Sequence, residues 1–360
     1  MSKKCLILID SFKGSKNASS KELGKFLSSF LSESTYLPIS DGGDGFLDFI
    51  NAIKSSKKIQ IKTFSPLKDE ININILLDEN NNAYFESKDV INYSYKEKGN
   101  IFTRLSYGIG EVLKTLNSFH IKNLFIGLGG SPTSDCGIGM LIALGAKFYK
   151  ENKEVKINSV KDILNVNKVN FDSLEKLNYK ISLISDVDNP LTGKNGANNV
   201  FAKQKGASNN DILILEKCFI HFKNLLKENL INLNDEVGDG AAGGISFILK
   251  HLLKAEYFQG SEFTLSLINY NEIKNNFDFI ITGEGSFDEQ SFHKKIVGQI
   301  LNLTDKNKVI ILTGQNKTSY KTNLYSIMDD LKVDEQEAMS NTHKYLIDLI
   351  RKVKNDFSLD

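Results

Sequence analysis

Apolar residues alternate between strand-length runs and helix-spaced stripes at both ends of the chain. Residues 4–9, KCLILI, predict a buried strand, and Ser19 and Glu22 have the spacing of a capping box before a helical apolar stripe. Further strands and helices are predicted in the same alternation over residues 35–39, 46–53, 277–282, 294–303, 309–314 and 335–354. Strands that alternate with helices favour an open parallel sheet, so the predicted class is α/β.

The pattern changes in the middle of the chain. Short strands joined by turns are predicted over residues 58–64, 70–77 and 83–87. The second of them, EININILL, alternates as a half-exposed antiparallel strand does. Later elements are a helix over 104–117, a strand over 179–184 and a helix over 209–229. The sequence therefore predicts a discontinuous first domain, residues 1–60 plus 275–360, with a mixed α/β domain, residues 61–274, inserted into it.

The most distinctive stretch is residues 123–141, NLFIGLGGSPTSDCGIGML. A strand-length apolar run ends in Gly129, Gly130 and Ser131, and a helical apolar stripe follows Asp135, one of three adjacent residues able to cap a helix. A glycine turn before a helix N-terminus offers unpaired backbone N–H groups to an anion, and phosphate is the expected ligand. A tight turn with a purely structural role is the alternative.

Composition excludes several classes of partner. The chain has 360 residues, 41% hydrophobic and 25% charged, as soluble globular proteins do. A net charge of +1 predicts neither nucleic-acid nor membrane-surface binding, and no apolar run approaches the ~20 residues that span a bilayer. The three scattered cysteines favour a reducing cytoplasm without a disulfide framework.

Carboxylates, glycines or both follow nearly every strand of the parallel type. Ligands of open α/β sheets bind outside the carboxyl ends of the strands, so these residues form the candidate site. In chain order they are Asp10, Ser11, Lys13, Asp41, Asp44, Gly129, Gly130, Ser131, Asp135, Asp186, Asp188, Asn189, Gly283, Glu284 and Asp288. Each turn taken singly is also explained by the preference of Asp and Gly for turns.

Carboxylates, glycine turns and lysines together suit phosphoryl transfer. Mg²⁺ prefers oxygen ligands, usually one or two carboxylates with substrate phosphates, and an acceptor hydroxyl needs a carboxylate to orient it. The sequence contains no G-x-x-x-x-G-K-[ST] loop and no protein-kinase motif.

A second glycine pattern suggests another chemistry. Gly238, Gly240 and Gly243 match G-x-G-x-x-G before a helix, which is the fingerprint of dinucleotide binding. The preceding residues make a poor strand, and no second strand ending in an acid follows about 20 residues later. A nicotinamide-dependent oxidoreductase is therefore kept as an alternative function, and a glycine-rich helix start that faces the same cleft is the expected structure.

Six motifs, in order along nearly the whole chain, resemble those of the bacterial glycerate kinase family of the DSFKGS-containing type I. They are DSFKGS (10–15), DGGDG (41–45), GLGGSPTSDCGIGMLIALGAKF (127–148), SDVDNPLTGKNGANNVFAKQKGA (185–207), GDGAAGGI (238–245) and ITGEGSFDEQS (281–291). The resemblance implies two α/β domains, one of them flavodoxin-like, with the site in the cleft between them. It also implies phosphorylation of D-glycerate by ATP with Mg²⁺, giving 2-phosphoglycerate in most members.

The resemblance assigns expected roles to individual residues. Lys13 and Lys205 would neutralise phosphate or the substrate carboxylate, and Asp186 or Asp188 would hold Mg²⁺ or the acceptor hydroxyl, with Asp10 as the next candidate base. Backbone N–H groups of residues 129–131 would bind an anion. The expected catalytic residues are thus Asp188, Asp186, Lys13, Asp10 and Lys205, and the expected metal ligands are Asp186 and Asp188.

Some positions depart from the family pattern. Asp44 stands for a usual Glu, SPTSDC (131–136) for SATNDG, Lys88 and Asp89 for small residues, and FHKKIVG (292–298) for a stretch with a glycine–lysine pair. A non-catalytic sensor of a sugar acid is a third function to weigh. The hydroxyl that is phosphorylated, the oligomeric state and the division of roles among the carboxylates stay open at this point.

Overall fold

The computed structural model describes residues 3–228, 233–293 and 295–360. Contacts divide the chain into two units. The terminal unit comprises Met1–Lys54 and Gln259–Asp360, and the central unit comprises Ser55–Phe258. The junctions expected near residues 60 and 275 fall inside a strand of the central unit and a short 3-10 helix of the terminal unit.

The strands, in chain order, are β1 (Cys5–Ile9), β2 (Ser34–Tyr36), β3 (Ser56–Phe64), β4 (Glu70–Asp78), β5 (Asn82–Glu86), β6 (Asn123–Gly127), β7 (Lys147–Lys150), β8 (Lys153–Glu154), β9 (Lys168–Asn170), β10 (Lys180–Ile184), β11 (Glu256–Phe258), β12 (Phe279–Phe287), β13 (Val309–Asn316) and β14 (Leu324–Ser326). The α-helices are α1 (Ser20–Ser28), α2 (Phe46–Ile53), α3 (Ser87–Val90), α4 (Tyr107–Leu116), α5 (Ile138–Ala143), α6 (Ala197–Phe201), α7 (Asn209–Lys227), α8 (Ala241–His251), α9 (Gly260–Leu267), α10 (Tyr270–Ile273), α11 (Glu289–His293), α12 (Ile296–Leu303), α13 (Ile327–Leu331), α14 (Glu335–Ser340) and α15 (Thr342–Phe357).

The terminal unit contains a parallel sheet in the order β14-β13-β12-β1-β2. Read from the other edge, this is the flavodoxin-like order, and the chain reverses its winding direction between β1 and β12. The backbone N–H of Asp10 donates to Gly283 O at 2.9 Å, which extends this central pairing beyond the end of β1. The parallel sheet confirms the predicted fold class and places a ligand crevice at the β1–β12 boundary.

The central unit contains a mixed sheet in the order β11-β10-β6-β5-β4-β3. Strands β5, β6, β10 and β11 run parallel, whereas β3 and β4 pair antiparallel. The alternation in EININILL is matched by the burial pattern of β4, since its apolar side chains face the core. The unit is therefore a second α/β body with its own hydrophobic core.

The structure confirms some of the sequence expectations for individual elements and corrects others. The capping box of Ser19 and Glu22 is confirmed at the start of α1. The strand predicted over residues 277–282 is longer in the structure, where β12 continues to Phe287 because Glu284, Ser286 and Phe287 pair with β13.

The single helix expected over 335–354 is two helices, since Asn341 has a non-helical backbone (φ −123°) between α14 and α15. Residue 229, at the end of the helix expected over 209–229, and Lys294, at the start of the one expected over 294–303, lie outside the described residues.

Candidate functional site

The crevice at the β1–β12 boundary of the terminal unit is a pocket of about 220 Å³. Its lining comes mainly from the residues after β1, from the end of β12 and from the segment after β13. The lining includes Asp10, Ser11, Phe12, Lys13, Asp41, Glu284, Ser286, Lys295, Gln315, Lys317, Ile327, Met328, Ala338 and Met339. The structure thus brings together Asp10, Ser11, Lys13, Asp41 and Glu284, all of them predicted from strand ends.

Asp10 has the most functionally suggestive environment in this pocket. Burial, together with the charge of Asp41, raises the pKa of Asp10 to about 7, although the Lys13 ammonium opposes both. One carboxylate oxygen accepts a hydrogen bond from the Ser11 backbone N–H at 2.7 Å. A carboxylate with a pKa near neutrality is suited to accept a proton from a hydroxyl.

Lys13 and Asp41 form an ion pair in the lining of the pocket. Their charged atoms are 3.9 Å apart, and the charge of Asp41 raises the pKa of Lys13. The Lys13 side chain is 71% exposed, so it can move toward an incoming anion. Asp44 is exposed, is not among the lining residues, and its backbone oxygen accepts a bond from the Ser40 hydroxyl.

Glu284 is a buried carboxylate with unused bonding capacity. Its Oε2 accepts from Lys295 Nζ at 2.6 Å, while Oε1 is buried without a hydrogen-bond partner among the described residues. Burial raises the pKa of Glu284, against the lowering effect of Lys295. A buried carboxylate with an unpaired oxygen is costly unless a ligand supplies a donor.

Gly283 serves the sheet rather than a ligand. A Cβ at this position would lie 1.8 Å from Leu312 O, so glycine permits the close approach of β12 and β13. Sequence reasoning missed Lys295 and Gln315. Applying the strand-end rule to β13 finds Gln315, whereas Lys295 has no signal beyond a lysine before an apolar helix.

In the central unit, the turn after β6, here called the Gly129 turn (residues 129–137), presents few groups to solvent. Gly130 is exposed and has a left-handed backbone (φ 60°), while Ser131 and the residues that follow are buried. The Ser131 hydroxyl lies 2.7 Å from that of Thr133. The Gly129 N–H donates to the Ser87 hydroxyl at 3.3 Å, so the exposed backbone of Gly130 is the part of this turn that is open to an anion.

Asp135 holds this turn together and is not placed to contact a ligand. The side chain is fully buried, and its carboxylate accepts bonds from the Ser106 N–H (2.7 Å), the Ser106 hydroxyl (2.8 Å) and the Gly139 N–H (3.0 Å). Burial raises its pKa, and the bonds from Ser106 lower it. The expected binding role of Asp135 is therefore corrected to a structural one.

Lys205 is corrected in the same way. It is 4% exposed, and its Nζ donates to Thr133 O at 2.8 Å, while its own carbonyl accepts from Arg104 at 2.8 Å. Burial, together with the charge of Arg104, lowers the pKa of Lys205 to about 7. Lys205 supports the Gly129 turn from within the core and cannot act as a surface cation there.

The Asp186 loop (residues 185–196) follows β10. Asp186 is half-buried and Asp188 is exposed, on the two sides of Val187. The Tyr257 hydroxyl donates to Ser185 O and Val187 O, and burial raises the Tyr257 pKa, with the charges of Asp186 and Asp188 adding to the rise. Tyr257 thus fixes the backbone that carries both acids.

This loop suits a magnesium ion. Mg²⁺ commonly takes one or two carboxylates and completes its octahedron with water and phosphate oxygens, and two acids on a partly exposed loop fit that donor set. Asn189 donates through its side chain to Asn195 O at 2.9 Å, which closes the loop on itself.

The dinucleotide alternative fails on the packing of the second glycine pattern. Cβ atoms at Gly240 and Gly243 would lie 2.6 Å from Pro190 O and 2.2 Å from Thr133 O. One at Gly238 would lie 2.5 Å from the Tyr257 ring. Protein atoms fill the space that a pyrophosphate needs, so the expected helix start facing a cleft is instead packed inside the unit.

Comparison with known proteins decides the family. The sequence model of the Glycerate kinase family matches residues 5–358. The chain belongs to the glycerate kinase family. The kinase class predicted from the sequence is thereby confirmed.

Individual relatives agree with the family. The chain is similar to a glycerate kinase of Halalkalibacterium halodurans, with 31% identity over 81% of this chain and 79% of that protein. It is also similar to glycerate 2-kinase of Escherichia coli, with 30% identity over 84% and 82% of the two chains. A crystal structure from Salmonella typhimurium LT2, provisionally described as glycerate kinase 2, matches over 100% of both chains with a TM-score of 0.75 and 24% identity, which supports the fold. Within the described residues, no helix is long and apolar enough to cross a membrane.

Proposed function

We propose that the protein transfers the γ-phosphoryl group of ATP to the 2-hydroxyl of D-glycerate, giving 2-phosphoglycerate, with Mg²⁺ as cofactor. Family membership supports the reaction class, and the name of the Escherichia coli relative supports the 2-product. The observation that carries the site assignment is the half-buried Asp10 with its raised pKa, beside Lys13 and Glu284 in one pocket.

The pocket of the terminal unit suits the acceptor better than the triphosphate. Four acidic side chains line it, Asp10, Asp41, Glu284 and Glu335, against Lys13, Lys295 and Lys317. A multiply charged triphosphate is repelled by so many carboxylates unless cations intervene, whereas a small acid with one carboxylate and two hydroxyls can use both signs of charge. Lys13 or Lys295 would take the carboxylate of glycerate.

The hydroxyls of glycerate would meet two different carboxylates. The attacking oxygen forms a bond to the γ-phosphorus, the bond from that phosphorus to the bridging oxygen of ADP breaks, and the hydroxyl proton passes to Asp10. Glu284 would accept a hydrogen bond from the hydroxyl that does not react, after a rotation of its carboxylate about the soft terminal torsion.

The nucleotide is assigned to the central unit. Asp186 and Asp188 would hold Mg²⁺, whose charge offsets that of the phosphates during transfer. The exposed backbone of Gly130 would receive a phosphate oxygen, joined by the Gly129 N–H where phosphate displaces its bond to Ser87. The bound metal supplies electrostatic stabilisation of the transferred group, and the two acids supply its protein ligands.

A cytoplasmic location fits this reaction. Cys5, Cys136 and Cys218 are all buried and unpaired, as in proteins of reducing compartments. The partners proposed are D-glycerate and ATP.

The test is product analysis with the wild-type chain and an Asp10→Asn variant. Purified protein with ATP, Mg²⁺ and D-glycerate is expected to release ADP and to give 2-phosphoglycerate by phosphorus NMR. Asp10→Asn should lose roughly a hundredfold or more in kcat, within the contribution expected of a general base, while thermal shift still reports glycerate binding. Formation of 3-phosphoglycerate would overturn the product assignment, and a fully active variant would overturn the role of Asp10.

A further inference from the structure

The segment GDGAAGG, here called the Gly240 segment (residues 238–244), has an unusual backbone. Ala242, Gly243 and Gly244 are three consecutive left-handed residues, with φ of 50°, 69° and 87°. Left-handed geometry costs roughly 1–2 kcal/mol for a residue with a Cβ, and a run of it persists only where the surroundings impose it.

On one side, this segment contacts the Gly129 turn. Gly243 O accepts a hydrogen bond from the Cys136 N–H at 3.0 Å. A Cβ at Gly243 would lie 2.2 Å from Thr133 O, and one at Gly244 would lie 3.0 Å from Cys136 Cα. The two backbones are therefore in direct contact.

On another side, the same segment contacts the Asp186 loop. The Gly240 N–H donates to Asn189 O at 2.9 Å, and a Cβ at Gly240 would lie 2.6 Å from Pro190 O. One segment thus binds the backbone of both loops to which we assign the nucleotide and its metal.

A buried ion cluster fixes where the segment begins. Asp239 is fully buried and accepts from the Glu236 N–H at 2.7 Å, from Lys250 Nζ at 2.8 Å and from His251 Nε2 at 3.0 Å. Burial raises the pKa of Asp239, but the bonds from His251 and Lys250 outweigh burial and hold the net pKa below its ordinary value. Lys250 and His251 belong to the end of α8, so the cluster ties the segment to the helix that follows it.

The cluster is not a metal site. Glu236, Asp239 and His251 have donor atoms within 4.8 Å of one another. Lys250 Nζ already lies among them, 2.8 Å from Asp239, 3.1 Å from Glu236 and 2.8 Å from Val237 O. The ammonium supplies the positive charge that these acids require.

We infer that Asp239 and Lys250 are positioning residues for phosphoryl transfer. They hold the Gly240 segment in its left-handed form, and the segment in turn sets the Gly129 turn and the Asp186 loop in one fixed relation. The effect on phosphoryl transfer rests on the proposed function, whereas the effect on the order of the two loops does not.

The experiment combines kinetics with amide hydrogen exchange on the full chain. Lys250→Met removes the ammonium from Asp239, and Lys254→Met is the matched control, because Lys254 is exposed and its Nζ donates to the backbone oxygen of His251. We expect Lys250→Met to speed exchange roughly tenfold or more in peptides covering 131–141 and 186–196, without ligands and with no change in the terminal unit. We expect kcat to fall by roughly tenfold while KM for glycerate stays within about twofold, and Lys250→Arg to restore much of the loss.

A second variant guards against misfolding of the first. Gly240→Ala leaves the ion cluster intact and forces Pro190 away, so it should speed exchange in 186–196 more than in 131–141. Unchanged exchange in both variants overturns the inference, and so does faster exchange with normal kcat. If the wild-type chain fails to phosphorylate glycerate, the proposed function falls, and the exchange measurements still decide whether the segment holds the two loops.

Discussion

Asp10 shares its pocket with the carboxylate of Asp41 and the ammonium of Lys13, and the two charges shift its pKa in opposite directions. Asp41 raises the pKa and Lys13 lowers it, and with burial as the largest cause the net pKa is about 7. Asp10 must be deprotonated to accept a proton, so activity should rise with pH through about 7. We measure kcat/KM between pH 5 and 9 and call its rise near pH 7 the rising limb of the pH profile. We predict that Asp41→Asn moves this limb to lower pH and that Lys13→Met moves it to higher pH.

The control for this experiment is Lys21→Met. Lys21 is an exposed lysine of the same unit that pairs with Asp48, so its removal should leave the limb in place. A limb that fails to move in either pocket variant, or that moves in the same direction in both, would show that another group titrates.

Glu284 should determine whether the substrate needs two hydroxyls. A site that hydrogen-bonds a hydroxyl discriminates strongly against an analogue that lacks it, because its buried polar group is then left unpaired. We predict that D-lactate, which lacks the 3-hydroxyl, is phosphorylated with kcat/KM at least roughly a hundredfold below that of D-glycerate. Glu284→Met should lower the ratio of kcat/KM for D-glycerate to kcat/KM for D-lactate, whereas Glu284→Gln, which keeps an acceptor oxygen, should preserve more of it. Equal ratios in the wild type and both variants would contradict the assignment.

Lys205 shows how burial changes the meaning of a residue. The sequence alone suggests a phosphate-binding cation, whereas in the structure the Lys205 ammonium donates a hydrogen bond to Thr133 O in the core. We predict that Lys205→Ala lowers the free energy of unfolding by ~2–4 kcal/mol, through a cavity and an unpaired carbonyl. Urea denaturation measures this, with the exposed Lys203→Ala as a control expected within ~0.5 kcal/mol of wild type.

At the scale of elements, the end of β10 carries the predicted metal ligands. Strand β10 is buried between β6 and β11, so it fixes the point at which the loop that carries Asp186 and Asp188 begins. We predict that Asp188→Asn folds and still binds ATP, but loses roughly a hundredfold in kcat. The reason is that removing a metal ligand that acts in the transition state lowers turnover more than substrate affinity. The matched control is Asp172→Asn, an exposed acid of the same unit; near-normal turnover in Asp188→Asn would make that residue structural.

At the scale of the whole molecule, two separate hydrophobic cores support the two units. The buried apolar residues of one cluster all come from the central unit, and those of the other all come from the terminal unit. A chain segment with its own core can fold alone. We predict that the fragment 55–258 is folded by near-UV circular dichroism and unfolds cooperatively on heating; an unfolded fragment would show that its core depends on the other unit.

The sequence by itself determined the features that depend on local pattern. The apolar periodicity of residues 4–9 and 277–282 predicts β1 and the first part of β12, and Ser19 and Glu22 predict the start of α1, because these signals need only neighbouring residues. The strand-end rule predicted that Asp10 and Glu284 belong to one site, since the carboxyl ends of parallel strands meet at one edge.

The tertiary structure decided what distant parts of the chain do to each residue. Pairing with β13 extends β12 beyond the strand predicted over residues 277–282. Burial withdrew Asp135 from solvent, and packing against Pro190 and Thr133 turned a nucleotide-like glycine pattern into a support for two loops. Desolvation, which sets the pKa of Asp10, depends on how many protein atoms replace water around a group, and those atoms come from distant parts of the chain.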